Sequence, residues 1–199
     1  MEIISAATLL FLVLDPLGNI PLFLSVLETV APERRTKVVI REVLLALVVL
    51  VIFLFAGSYV LQFMNLSQHA VTISGGIILF MISIKMVFPV KRTAEITDEI
   101  DGEPLLVPLA IPMVAGPSAM AIVVLMSTSE PDKLLHWLVA LFAAWFLTAI
   151  ILISATKLQK LLGKRGLVAM ERLMGMLLVA LAIQMLLNGI SEYIQGLPA

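Results

Sequence analysis

The chain has 199 residues, 61% hydrophobic and 14% charged, with a mean hydropathy of +1.10 and a net charge of -1. Roughly a quarter of the residues of a soluble domain are charged, so this chain belongs in lipid. No basic run interleaves with aromatics, which excludes a nucleic-acid partner, and the absence of cysteine excludes disulfides and thiolate metal sites.

Taking about 20 apolar residues per crossing, six spans are expected, at 3–28, 43–63, 70–88, 104–128, 134–156 and 168–190. The start, "MEII", carries an acid where a secretory signal needs positive charge, so the first span is expected to stay in the protein. Halfway along that span lies "LDPLGN". An aspartate at the centre of a spanning helix costs about 2.5–3.5 kcal/mol on insertion scales, so it needs a compensating environment. Proline is preferred at the first position of a helix and aspartate just before it. Asp15 is therefore expected to cap a second half-helix that begins at Pro16.

The loop after this span holds Arg34, Arg35, Lys37 and Arg41. Span three, "AVTISGGIILFMISIK", ends at Lys85, which can snorkel to the interface. Its Gly75 and Gly76 are candidates for close helix contact or for ligand contact. The polar stretch "VKRTAEITDEIDGE" reads as a solvated cytoplasmic linker, 90–103, between two units of three spans, 1–89 and 104–199. Span four is rich in proline, and Gly116 with Pro117 repeats the break of span one.

The loops after spans one, three (Lys91, Arg92) and five (Lys157 to Arg172, with flanks) hold nearly all the Lys and Arg, against Lys133 alone on the other side. The positive-inside rule then puts both termini on the periplasmic side and Tyr59, Trp137 and Tyr193 near the outer interface.

"LDPLG" superposes on "AGPSA", with Pro16 over Pro117, and "ISGGIILFMISIKM" superposes on "RLMGMLLVALAIQM", with Gly76 over Gly175 and Met86 over Met185. Three spans is an odd number, so a second triplet enters from the opposite face. The fold class expected is an all-α polytopic membrane protein of six transmembrane helices, arranged as two inverted three-helix repeats with helices 1 and 4 broken. Each break comes about a dozen residues into its span, or roughly 18 Å deep in a core about 30 Å thick. Two helix N-termini converging at the midplane would favour a small anion such as a carboxylate. Asn19, Ser118 and freed carbonyls could add hydrogen bonds and receive an ammonium group.

"LDPLGNIPLF" followed by "SGGIILF" and "IPMVAGP" resembles the MarC family of bacterial inner-membrane proteins, over nearly the whole chain. That family is classed with six-span neutral amino acid transporters. The resemblance marks Asp15, Pro16, Gly18, Asn19 and Pro21, then Gly75 and Gly76, then Pro112, Ala115, Gly116 and Pro117. It names no substrate.

The expectation is a secondary transporter of small neutral amino acids in the inner membrane. Its substrate site would draw on Asp15, Pro16, Gly18, Asn19, Gly75, Gly76, Ala115, Gly116, Pro117 and Ser118. Asp15 is a structural cap or, in addition, the coupling residue for a proton or sodium ion; the two roles are compatible. No cofactor, metal or catalytic residue is expected; the partners are the lipid bilayer, the amino acid and the coupling ion, with a homo-oligomer compatible. The alternatives are a passive channel or exporter for another small solute and, last, an intramembrane enzyme, against which stands the absence of HExxH and GxSxG.

Overall fold

The computed structural model describes residues 2–27, 30–63, 65–88 and 114–196. The linker 90–103 and the first part of span four, with Pro112, lie outside the described residues.

Every element of the described chain is helical. In order they are α1 (Ile3–Leu14), α2 (Pro16–Leu27), α3 (Pro32–Phe63), α4 (Gln68–Val87), α5 (Pro117–Ser129), a single 3-10 turn (Pro131–Lys133), α6 (Leu134–Ile153) and α7 (Ala155–Gln195). Five described segments are long and apolar enough to cross a membrane, with α1 running into α2 counted as one; α5 is a shorter apolar helix. Large apolar side chains stand exposed along their outer faces, among them Ile52, Phe146 and Leu187. Exposed apolar surface this extensive is what a lipid-facing protein presents.

Two spans extend further than hydropathy indicates. α3 begins at Pro32 rather than 43, so Arg34, Arg35, Lys37 and Arg41 lie on a helix and not in a loop. Proline fits a first helical position and Lys, Arg and Glu are good helix formers, so nothing stops the helix at the membrane surface. One face of α3 is buried throughout, through Val39, Val43, Ala46, Leu50, Leu54, Gly57 and Leu61 at helical spacing. Likewise α7 starts at Ala155 rather than 168 and passes through a break at Gly163 (φ 66, ψ 172).

α4 starts where the Ser67 side chain accepts a hydrogen bond from the Ala70 N–H at 3.2 Å. Its main partner is α7; α1 packs on α6, α3 on α5, and α2 on α7. Glycines set the α4–α7 crossing. A Cβ on Gly76 would lie 3.1 Å from the Ala182 carbonyl oxygen, and one on Gly175 would lie 3.1 Å from that of Ser83 and 2.9 Å from Met86 Cβ. Gly76→Val and Gly175→Val are each expected to cost about 1–3 kcal/mol by overpacking, read as a lower melting temperature of the detergent-solubilised protein.

Trp137 is not an outward belt residue. It is 2% exposed, and its indole N–H donates to the Glu130 carbonyl at 3.2 Å, which ties the start of α6 to the end of α5. Beside it, the Lys133 ammonium holds the Glu130 carboxyl below the usual carboxylate range. Tyr59 and Tyr193 are exposed.

Candidate functional site

The break in the first span is built from its own six residues. Asp15 ends α1 in the left-handed region, φ 43 and ψ 58, with its N–H shared between the Phe11 and Leu12 carbonyls. Aspartate and asparagine tolerate this conformation better than most residues because a short polar side chain can bond locally. Here it does so. Asp15 Oδ1 accepts from the Gly18 N–H at 3.2 Å, and the Asp15 carbonyl accepts the first turn's N–H from Asn19 at 3.1 Å. Asp15 is thus at once the end of α1 and the cap of α2, as "DPLG" anticipates. Asn19 returns the favour to α1, donating through Nδ2 to the Leu14 carbonyl at 3.1 Å.

Asp15 is 6% exposed and Pro16 is buried with it. Gly18 is fixed by space: a Cβ there would collide with the Asp15 carboxylate and with the Met86 methyl group from α4. Glu171 of α7 lies within electrostatic reach of Asp15. The first break therefore sits where α2, α4 and α7 meet.

The second break is built differently. Gly116 (φ -60, ψ 163) precedes Pro117 at the first position of α5 and has no side chain with which to cap it. The first-turn N–H groups of Ser118 and Ala119 are left to other acceptors, while that of Met120 bonds the Gly116 carbonyl at 3.0 Å. Ala115, Gly116 and Ser118 are buried, whereas Pro117 is exposed. α1 packs against α5, and Leu14 and Ala115, which flank the two breaks, belong to the same buried cluster. Gly75 faces Ala121 of α5, whose methyl group would lie 2.9 Å from a Cβ at that position, and Gly76 faces α7. Both lie where neighbouring helices press on α4.

One buried charge escapes sequence reasoning. Glu42 on α3 is 0% exposed, and Arg41 Nε and Nη2 both donate to its Oε1, at 3.1 and 2.9 Å. Its Oε2 and the hydroxyl of Thr148 on α6 are buried without a hydrogen-bond partner among the described residues. Trp145 of α6 donates to the Val43 carbonyl at 2.8 Å, fixing α6 against α3 at this level. A hydropathy window places Glu42 outside its span. The buried stripe of α3, carried back one turn from Ala46, is the signal that includes it.

Interrupted helices, a buried capping carboxylate and lipid-facing apolar surface define a polytopic α-helical membrane protein with a broken span. The chain belongs to the MarC family of integral membrane proteins, whose profile matches residues 1–194. It is 48% identical over 195 residues to the UPF0056 inner membrane protein YhgN of Escherichia coli K12, covering 98% of this chain and 99% of that one. A UPF0056 membrane protein of Buchnera aphidicola (subsp. Baizongia pistaciae) is 47% identical over 96% of this chain and 98% of its own. The Pyrococcus abyssi membrane protein PYRAB13050 is 34% identical over 91% and 90%. No solved structure matches significantly.

Proposed function

We propose that this protein is a secondary transporter of small neutral amino acids, which binds its substrate between the broken ends of spans one and four. The single observation that carries the reading is the pair of breaks, whose neighbours Leu14 and Ala115 share one buried core and whose helix starts have opposite chemistry. α5 offers a helix N-terminus with no side-chain cap, suited to a carboxylate. α2 presents a helix N-terminus already filled by the Asp15 carboxylate, suited to an ammonium group. A zwitterion fits both. The carboxylate therefore goes to Ala115, Gly116, Pro117 and Ser118, and the ammonium to Asp15, with Gly18 holding that side chain and Pro16 and Asn19 fixing the backbone around it. Gly75 and Gly76 serve by letting α5 and α7 approach.

An inverted repeat supports alternating access. The superposition that sets Gly76 on Gly175 also sets Ser83 on Ala182, and Gly76 touches Ala182 as Gly175 touches Ser83. Exchanging α2, α3 and α4 for α5, α6 and α7 likewise turns the α2–α7 packing into α5–α4 and the α3–α5 packing into α6–α2, all of which occur. α4 serves as a ruler: Met86 reaches Gly18 and Gly75 reaches Ala121, which leaves the two helix starts on the order of 10 Å apart along the bundle. We place the termini on the periplasmic side by the basic residues at the opposite ends.

The test is counterflow. Proteoliposomes preloaded with unlabelled alanine or serine are expected to accumulate the labelled amino acid transiently and saturably. Equilibration without overshoot would mean a channel, and no uptake of any neutral amino acid would reject the reading.

A further inference from the structure

A cavity of about 870 Å³ opens at the end of the bundle where α3 and α5 finish and where α4 and α6 begin. Its polar wall is made by Ser58, Gln62, Asn65, Gln68, Ser127 and Thr128, and among the described residues no Lys, Arg, His, Asp or Glu lines it. A second cavity of about 280 Å³ shares Leu61 with it and runs along Val124, Ala121 and Met120 to Pro117, the first residue of α5. Together the two chambers follow α5 from its end back to the second break, a path of about 17 Å at helical rise.

At the other end of the bundle the described residues pack together. Ile20 of α2, Ala155 and Leu167 form a separate buried cluster, packed by Leu17, Leu24, Ile151, Leu158 and Leu162. α6 has 20 residues, begins at the cavity and ends at this cluster, so the two lie about 30 Å apart, the thickness of a bilayer core. Ala155, Leu158 and Leu162 supply one side of the seal at helical spacing, while Thr156, Lys157 and Lys160 on the other side are exposed. This short amphipathic stretch joins the rest of α7 only through Gly163, whose φ 66 and ψ 172 are open essentially to glycine alone. A Cβ on Gly163 would meet none of the described atoms within 4 Å, so the joint itself lies in open space.

We propose that the cavity at the α3–α5 end is the entry site for an uncharged or zwitterionic polar solute, and that residues 155–162, hinged at Gly163, form the seal at the exit. The proposal rests on the transport reading above. Amide and hydroxyl walls replace the hydration of a net-neutral polar solute, whereas a net charge would lose its water without gaining a counter-charge. The seal is dry and apolar, so a solute that has reached the break cannot continue until the 155–162 segment moves.

Because the chain contains no cysteine, single cysteines report access directly. Gln62→Cys and Ser127→Cys mark the cavity, and Leu158→Cys and Leu162→Cys mark the seal by two independent positions. Each is reconstituted into phosphatidylethanolamine–phosphatidylglycerol vesicles and treated with a membrane-impermeant maleimide from either side. Variants are compared only if they elute as the parent does and label fully once denatured. Gln62→Cys should react from one side about tenfold or more faster than either seal cysteine reacts from any side. Excess L-serine should slow Ser127→Cys labelling, and L-lysine and L-glutamate should not. Adding Gly163→Ala should speed labelling of Leu158→Cys. Seal cysteines that react as fast as Gln62→Cys, or charged amino acids that protect as well as serine, would overturn the proposal. Labelling as expected with no serine counterflow would reject transport alone; counterflow with even labelling would reject only the entry site and seal.

Discussion

Arg41→Ala is expected to lower the unfolding free energy by about 3 kcal/mol or more, because it strands the Glu42 carboxylate inside the bundle. Glu42 has no exposure of its own, and both hydrogen bonds to its Oε1 come from Arg41. A surface pair of the same geometry would contribute under about 1 kcal/mol, so burial decides the size of the effect. The charge itself should be dispensable. Arg41→Ala combined with Glu42→Gln, which removes the carboxylate the guanidinium was compensating, should recover most of the loss. Thermal unfolding of the single and double variants in the same detergent checks this; equal losses would mean that Arg41 stabilises the fold through other contacts.

Asp15 should separate structure from function more cleanly than any other residue. Asn keeps a side-chain oxygen for the Gly18 N–H and is comfortable with a positive φ, so Asp15→Asn should fold with little change in melting temperature. Asp15→Ala loses the cap and forces alanine into the left-handed region, at a combined cost of about 2–3 kcal/mol. If the carboxylate couples transport to a proton or sodium gradient, Asp15→Asn abolishes gradient-driven uptake of serine while retaining binding. Unaltered driven uptake in that variant would leave Asp15 a cap and nothing more.

The first break was fully legible because its determinants are local: Asp before Pro, with a small residue three positions on, specifies a cap whatever surrounds it. The reciprocal bond from Asn19 to Leu14 needed the structure, since an asparagine in a first turn has several partners within reach. Helix ends were misjudged where they leave the membrane. Hydropathy reports where lipid stops, not where hydrogen bonding stops, so Pro32–Arg41 and residues 157–167 read as loops although both continue as helix apart from the break at Gly163. The 155, 158, 162 spacing carried that information. Trp137 illustrates the opposite difficulty: on a helix apolar all round, no pattern distinguishes the face toward lipid from the face toward protein.

The account depends on a zwitterion being held between an uncapped helix start and a carboxylate-capped one. Thermal stabilisation of the purified protein by each amino acid measures that directly, since a ligand of the folded state raises its stability by mass action. The prediction is a concentration-dependent rise with small neutral amino acids, absent with lysine and glutamate, and lost in Gly116→Leu and in Asp15→Ala at temperatures where both remain folded. No rise with any neutral amino acid, or a rise that survives both substitutions, would contradict it.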